Sequence, residues 1–409
     1  LTEPVSTYHE QLPELAAQLA SRGSLGMAVI DASSLGAIEF EYGGVAYEEV
    51  RKRAFKVLSE QRGKDYRADD VVALDQPGGL RFIFILGPKR RRSVPFTSAD
   101  LRAVRVRLKG SIAQSLSRAT FPYLKAPPRI DVGQGLALQN PLVHTERIVR
   151  RALDDSLQSA ALERQTEQLQ VRERLQDVIV RARVTTAYQP ILLMKSNTIL
   201  GYEALSRGAR GTGLETADEL FGAAKEHELL VELDRLCRMR ALLSSARISS
   251  GAKVFVNTLP ATIRDPQFRG RPLIDFLSKA QVSPDRIVIE ITEKLVIENY
   301  SLFREAMAYY TDLGMAFAVD DVGAGYSGLE AIARLKPRYL KIDTDLVRDV
   351  HESTVNREMV KALLSLGRGI GSTVIAEGIQ TAEEAKALLD IGVEFGQGYH
   401  LARPEAGPE

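Results

Sequence analysis

Apolar and polar positions alternate in two regimes along this chain. In the first, residues 8–20 carry apolar side chains at helical spacing, and residues 25–31 read as a strand that closes on an acid, Asp31. Residues 45–62 form an amphipathic helix with Val50, Ala54, Val57 and Leu58 on one face. Residues 71–74 and 80–86 read as two strands about a turn at Pro77-Gly78-Gly79, a hairpin signal. A helix over 99–116 and a strand over 130–137 follow. The order strand, helix, hairpin, helix, strand predicts an α+β domain with a single sheet. From Glu146 to Arg183 there is neither Pro nor Gly, and Leu153, Leu157, Leu162, Leu169, Leu175 and Ile179 form an interrupted apolar stripe. One long helix is expected there, packed on its own domains or paired with a second copy.

After Arg183 the second regime begins. Strands are expected at 185–191, 199–205, 253–257, 286–291, 315–321, 339–343, 373–377 and 394–397, most of them separated by helical segments. Nearly all end in a polar or charged residue that breaks an apolar run. Fully buried strands do not carry such residues unless these converge on a site. The alternation predicts an α/β fold, a (β/α)8 barrel whose site lies at the carboxyl ends of its strands. The expected divisions are 1–147, a connecting helix at 148–182, and 183–409.

Composition narrows the class. The chain has 409 residues, too many for one ordinary core, with 44% hydrophobic and 26% charged positions. A formal net charge of +1 supplies no global field for DNA or an anionic membrane. No apolar run approaches the roughly 18 to 20 residues of a membrane span, and no signal-peptide pattern opens the chain. The single cysteine, Cys237, lies in a helical pattern, reads as a small core residue, and fits a reducing, cytoplasmic setting. Leu1 is not a methionine, which is compatible with a sensory module upstream.

The chemistry concentrates at the strand ends of the second regime. Asp320-Asp321 closes an apolar run and precedes Gly323-Ala324-Gly325; two adjacent carboxylates repel unless a cation or a shared proton neutralises them. Glu203, Asn257, Glu290, Asp320 and Asp321 supply hard oxygen ligands from separate strands, which suits two Mg²⁺ or Mn²⁺ ions. Lys341 and Glu377 add a cation and a further carboxylate. A two-metal centre of this kind can activate water and clamp a phosphodiester.

Residues 183–405 resemble the EAL family of cyclic di-GMP phosphodiesterases. Glu203-Ala204-Leu205-Ser206-Arg207 matches its naming motif and following arginine. Tyr188-Gln189-Pro190-Ile191, Asn257, Glu290-Ile291-Thr292-Glu293, Asp320-Asp321, Lys341-Ile342-Asp343, Ala376-Glu377-Gly378 and Gln397-Gly398-Tyr399 fall in the family's order. The resemblance implies metal ligands at Glu203, Asn257, Glu290, Asp320, Asp321 and Glu377, with Asp320 bridging. It implies substrate contacts at Gln189, Glu203, Leu205, Arg207, Asn257, Asp320 and Gln397. Catalytic roles fall to Lys341 and Glu377, either of which serves as base, and to Glu293, which holds the loop after Asp321. It also implies a homodimer through this domain. In this loop Val322 and Ala324 replace the family's usual Phe and Thr, and Gln380 replaces a common Glu at a position expected to be peripheral.

Residues 20–150 resemble, by order of elements, a degenerate member of the GGDEF family, the diguanylate cyclase fold. At its signature turn, Gly78-Gly79-Leu80-Arg81-Phe82, Leu80 and Arg81 stand where acids are expected, so cyclase activity is not anticipated. Asp31 alone cannot hold two divalent ions. Arg67-Ala68-Asp69-Asp70 has the spacing of the family's inhibitory dinucleotide site but lies too far from the glycine pair, and Lys89-Arg90-Arg91-Arg92 reads as a solvated loop. The expectation is therefore a regulatory first domain, with GTP or a protein as its partner, joined to a phosphodiesterase that converts cyclic di-GMP to linear pGpG. The alternative is a receptor that binds cyclic di-GMP without cleaving it and signals to a partner.

Overall fold

Strand β1 (Ser24–Asp31) is buried on both faces: Met27 and Val29 point to one side of the sheet, Ala28 and Ile30 to the other. That period-two split organises the first unit, residues 1–170. The computed structural model describes residues 7–406 except 61–66, 68–69, 87–95, 125–127, 247, 249–250, 260–261, 295–299 and 324–327. Ala68, Asp69, the basic run 89–92 and Ala324 thus lie outside the described residues.

In this unit β1 is central in an antiparallel sheet with β2 (Val71–Leu74), β3 (Arg81–Leu86) and β4 (Asp131–Leu138), in the order β2-β3-β1-β4. Helices α2 (Ala37–Glu60) and α3 (Ser98–Thr120) cover the Ala28/Ile30 face. Helix α1 (Leu12–Arg22) and the start of α4 (Thr145–Val180) cover the other. Helix α4 approaches unusually closely because β4 offers glycine: a Cβ at Gly133 would lie 1.8 Å from the Ser156 carbonyl, and one at Gly135 2.0 Å from that of Ala152.

The second unit, residues 171–409, is an eight-stranded closed barrel. Its strands are β5 (Val184–Leu193), β6 (Thr198–Gly208), β7 (Lys253–Asn257), β8 (Ile287–Thr292), β9 (Ala316–Val322), β10 (Tyr339–Ile342), β11 (Thr373–Ala376) and β12 (Phe395–Gly396). From β6 to β12 the neighbours are parallel. Strand β5 departs from a plain (β/α)8 pattern. It runs antiparallel to both neighbours, because the β5–β6 connection at residues 194–197 is too short for a crossover helix and forms a hairpin. The barrel interior is plugged by Ile191, Phe255, Val288, Ala318, Tyr339 and Ile375. The alternate residues face the helical layer, among them Val254, Val256, Ile289, Val319, Leu340 and Val374. Cys237 lies on helix α6 (Leu230–Ser245) and is buried with Leu214, Leu220 and Leu233, as a core residue. Among the described residues no helix is long and apolar enough to cross a membrane.

Candidate metal centre and cleft

The plug fixes the site by counting. Two residues beyond Phe255, Val288, Ala318, Tyr339 and Ile375, and so on the same inner side, stand Asn257, Glu290, Asp320, Lys341 and Glu377. Glu203 enters from β6 opposite Phe255 in register, and Gln189 from β5 opposite Glu203. Successive strand residues face opposite ways, yet Asp320 and Asp321 belong to one acid group with Glu377. Asp321 achieves this by leaving the extended conformation for φ 55°, a left-handed turn that aspartate tolerates.

Lys341 is the hub. Its Nζ, fully buried, lies 2.5 Å from Glu377 Oε1, 2.8 Å from Glu290 Oε1, 3.2 Å from Glu203 Oε2 and 3.3 Å from Asp320 Oδ1. Four carboxyl groups thus crowd one ammonium at the buried floor of the barrel mouth. Beyond Lys341, no described donor reaches either oxygen of the fully buried Glu290. Buried, under-satisfied oxygens of this kind are what a hard divalent cation binds. Two groups of acids lie close enough to hold such ions: Glu203, Glu290 and Asp320, and then Asp320, Asp321 and Glu377. Asp320 belongs to both.

Amides orient these acids. Asn257 Nδ2 donates to Glu203 Oε1 at 3.0 Å, and Gln397 Nε2 donates to Glu203 Oε2 at 2.7 Å and to Gln189 Oε1 at 3.0 Å. Gln189 Nε2 ends this relay on the Ala402 carbonyl at 3.0 Å. Glu293 belongs to neither acid group. Its two carboxylate oxygens accept from the backbone of Gly323 at 3.0 Å and Gly328 at 3.1 Å, spanning the root of the loop after β9.

Burial and crowding set the protonation. Burial pushes Glu290 well above its ordinary value, against the pull of Lys341. Burial and then the charge of Asp320 push Glu377 the same way, and push Asp321 up to about 6. Glu203 moves down: burial opposes its charge, but Lys341 and the Gln397 and Asn257 amides outweigh it. For Lys341 burial disfavours the ammonium, yet Asp320, Glu203, Glu290 and Glu377 hold it well above the usual lysine value.

A prediction about pH and metal follows from the raised carboxyls. Without a divalent ion, Glu290, Asp321 and Glu377 keep protons in the folded chain that the unfolded chain has released. Their penalty starts as pH rises past about 4, and for Asp321 it is complete above about 6. Mg²⁺ competes with those protons for the same oxygens. Added Mg²⁺ should therefore raise the melting temperature by several degrees near neutral pH and by much less about two units lower. Thermal scans at the two pH values check this; equal shifts would contradict it.

Two cavities flank the cluster. A cleft of about 440 Å³ is lined by Gln189, Glu203, Asp320, Asp321, Glu377 and Gln397, together with Thr344, Gly378, Gln380, Gly398 and Tyr399. A pocket of about 240 Å³ carries Leu205, Arg207, Asn257 and Glu290, with Phe221, Asp234 and Arg238 on its wall. Arg207 donates to the Ser206 carbonyl at 2.9 Å. Every expected metal, substrate or catalytic residue of the second unit except Glu293 thus lines one cavity or the other, or contacts the cluster.

Gln380 is a correction, because it lines the cleft and is not peripheral. Thr344 was also missed, although it follows the Lys341-Ile342-Asp343 motif directly. Asp234 and Arg238 form a buried ion pair of 2.8 Å on α6. Opposite charges four apart on an otherwise apolar helix face were the available signal.

The matches to known proteins agree with this geometry. MucR of Pseudomonas aeruginosa, a bifunctional diguanylate cyclase/cyclic di-GMP phosphodiesterase, is 24% identical over 85% of this chain and 51% of its own length. The cyclic di-GMP phosphodiesterase NbdA of the same species is 28% identical over 59% of this chain and 32% of its own length. The chain therefore spans about half, or less, of these curated relatives. Among solved structures, a standalone EAL protein from Vibrio cholerae in its c-di-GMP-bound form is 32% identical, with a TM-score of 0.50 over 54% of this chain and 92% of that one. Residues 172–404, more than half of the chain, match the EAL domain model, and the chain belongs to the EAL domain family.

Proposed function

We propose that the second unit hydrolyses cyclic di-GMP to linear pGpG with two divalent ions, Mg²⁺ or Mn²⁺. The observation that carries this reading is the pair of acid groups that share Asp320, beside an open cleft and a buried lysine. Bound there, the ions would supply Lewis acidity at the phosphoryl oxygens and lower the pKa of the attacking water.

The remaining work falls to the chain. Gln189, Gln397 and Tyr399 on the cleft, and Leu205 and Arg207 on the pocket, receive the dinucleotide on either side of the cluster. Arg207 meets a phosphate through charge-assisted hydrogen bonds. Lys341, kept protonated by its four acids, offsets phosphate charge, and Glu377 takes the proton of the attacking water. The new P–O bond replaces the bond to O3′, which leaves as a hydroxyl with a proton from water in the cleft, and Glu377 returns its own proton to solvent. Relatives named as cyclic di-GMP phosphodiesterases, and an EAL protein crystallised with that ligand, support the substrate.

The first unit is read as a GGDEF-like regulator that does not cyclise GTP. The MucR match extends over 85% of the chain, more than the second unit holds. In β3, Arg81 reaches Asp31 at 3.2 Å and Asp75 at 3.7 Å, and this pairing of both carboxylates with a guanidinium supports a unit that does not cyclise GTP. GTP or a protein partner at this unit, the connecting helix at 148–182, and a homodimer through the EAL domain complete the proposal. The test is direct: incubate cyclic di-GMP with the protein and Mg²⁺ and separate the products. Linear dinucleotide is expected; intact substrate, with binding retained, would leave a receptor.

A further inference from the structure

Among the described residues three helices start with a capping box, and one of them does more than cap. In the box of helix α5 (Ala217–Glu226), Glu219 accepts from Thr216, its backbone N–H at 3.0 Å and its hydroxyl at 2.9 Å, and the carboxylate is exposed. In the helix Ala382–Ile391, Glu384 occupies the equivalent position but is 3% exposed. Its Oε2 accepts from Thr381 N at 3.1 Å and also from Gln380 N at 2.8 Å, and its Oε1 accepts from Asp349 N at 3.2 Å. Capping alone needs no burial, and a buried carboxylate is costly unless several N–H groups converge on it. Here three do, and they come from two different loops.

Those loops carry the site. Gln380 closes the segment after β11 that bears Glu377 and Gly378. Asp349, at φ 56°, lies just beyond the short helix Thr344–Val347 that follows Lys341 in β10. Thr344, Gly378 and Gln380 all line the cleft. The loops also touch directly: a Cβ on Gly378 would lie 2.4 Å from the Thr344 side chain.

We propose that Glu384 is a positioning residue that ties the loop after β11 to the loop after β10, and so fixes Glu377, Thr344 and Gln380 relative to Lys341. As a statement about turnover this rests on the hydrolase reading above; as a statement about the loops it does not. Glu384→Gln keeps the volume but puts an NH₂ against at least one backbone N–H. The variant should fold, with a melting temperature within a few degrees of the parent.

Two readouts decide the proposal. In hydrogen-exchange mass spectrometry of the full chain, peptides covering 344–351 and 377–385 should both exchange faster in E384Q. A helix cap alone would change only the second, and that result would overturn the tie. In the parent chain the Asp349 amide should exchange slowly; fast exchange there would also sink the idea, without any variant. For hydrolysis, kcat/KM should fall roughly 10- to 100-fold, as for lost supporting shells around metal ligands. Asp100→Asn, which breaks the capping box of α3 in the first unit, should leave it unchanged. If the parent protein does not turn over cyclic di-GMP, the hydrolase reading fails while the exchange data still decide the role of Glu384. Parental kcat/KM in E384Q, beside an active parent, would overturn the functional half.

Discussion

Lys341→Met should lower kcat for cyclic di-GMP by about 10²–10³-fold and destabilise the metal-free protein. The turnover loss is the size expected when one preorganised partner of the transition-state charge is removed. The stability loss comes from what remains: Glu203, Glu290, Asp320 and Glu377 all lie within 3.3 Å of Nζ, and none of the four would keep that cation. Breaking a buried ion pair by deleting one partner costs on the order of 3–5 kcal/mol. Methionine matches the length of the lysine stem, so packing is not the cause. Denaturant melts in EDTA should show the loss, and saturating Mg²⁺ should restore part of it. Unchanged stability in EDTA would mean that the Lys341 ammonium is not what holds these four acids together.

Asp320→Ala should abolish turnover as well, by roughly 10³-fold or more, but with the opposite effect on the metal-free fold. Asp320 is the member common to both acid groups, so its loss weakens two metal sites at once. Its charge is also among the causes that raise Glu290, Asp321 and Glu377. Removing it relieves like-charge repulsion and leaves three carboxylates around Lys341. The melting temperature in EDTA should therefore rise, while the rise produced by Mg²⁺ should shrink. Sites that assemble like charges for chemistry commonly give up stability in this way. Calorimetric titration with cyclic di-GMP should show binding retained, which separates loss of chemistry from loss of the cleft. A variant with parental turnover would remove Asp320 from the centre of the mechanism.

The barrel and its acid cluster were legible because one rule generates both. A strand buried on two faces has no reason to end in Asn, Glu, Asp or Lys. Asn257, Glu290, Asp320 and Lys341 each stand two residues past an interior plug residue, so the periodicity that packs the barrel also aims the site. The antiparallel entry of β5 was less visible, since only the four-residue connection after Leu193 distinguishes it. The walls of the cleft were hardest. Gln380, Thr344 and Glu384 lie on connections whose path depends on backbone hydrogen bonds between loops, for which a sequence has no period. Gln380 was misplaced for that reason. In the first unit the hairpin and single sheet were readable from Gly78-Gly79 and its flanking strands. The ion pair of Arg81 with Asp31 joins residues fifty apart in sequence and needed the fold.

The central claim is that this chain cleaves a phosphodiester at the Asp320 cluster with water as the nucleophile. The most direct measurement is incubation of cyclic di-GMP with the protein and Mg²⁺ in ¹⁸O-water, followed by mass analysis of the separated dinucleotide. Linear pGpG with one ¹⁸O on its 5′-phosphate is expected, and none of it with Asp320→Ala. Cyclic di-GMP recovered intact from a protein that binds it, or linear product without the label, would rule out hydrolysis by water at this cluster.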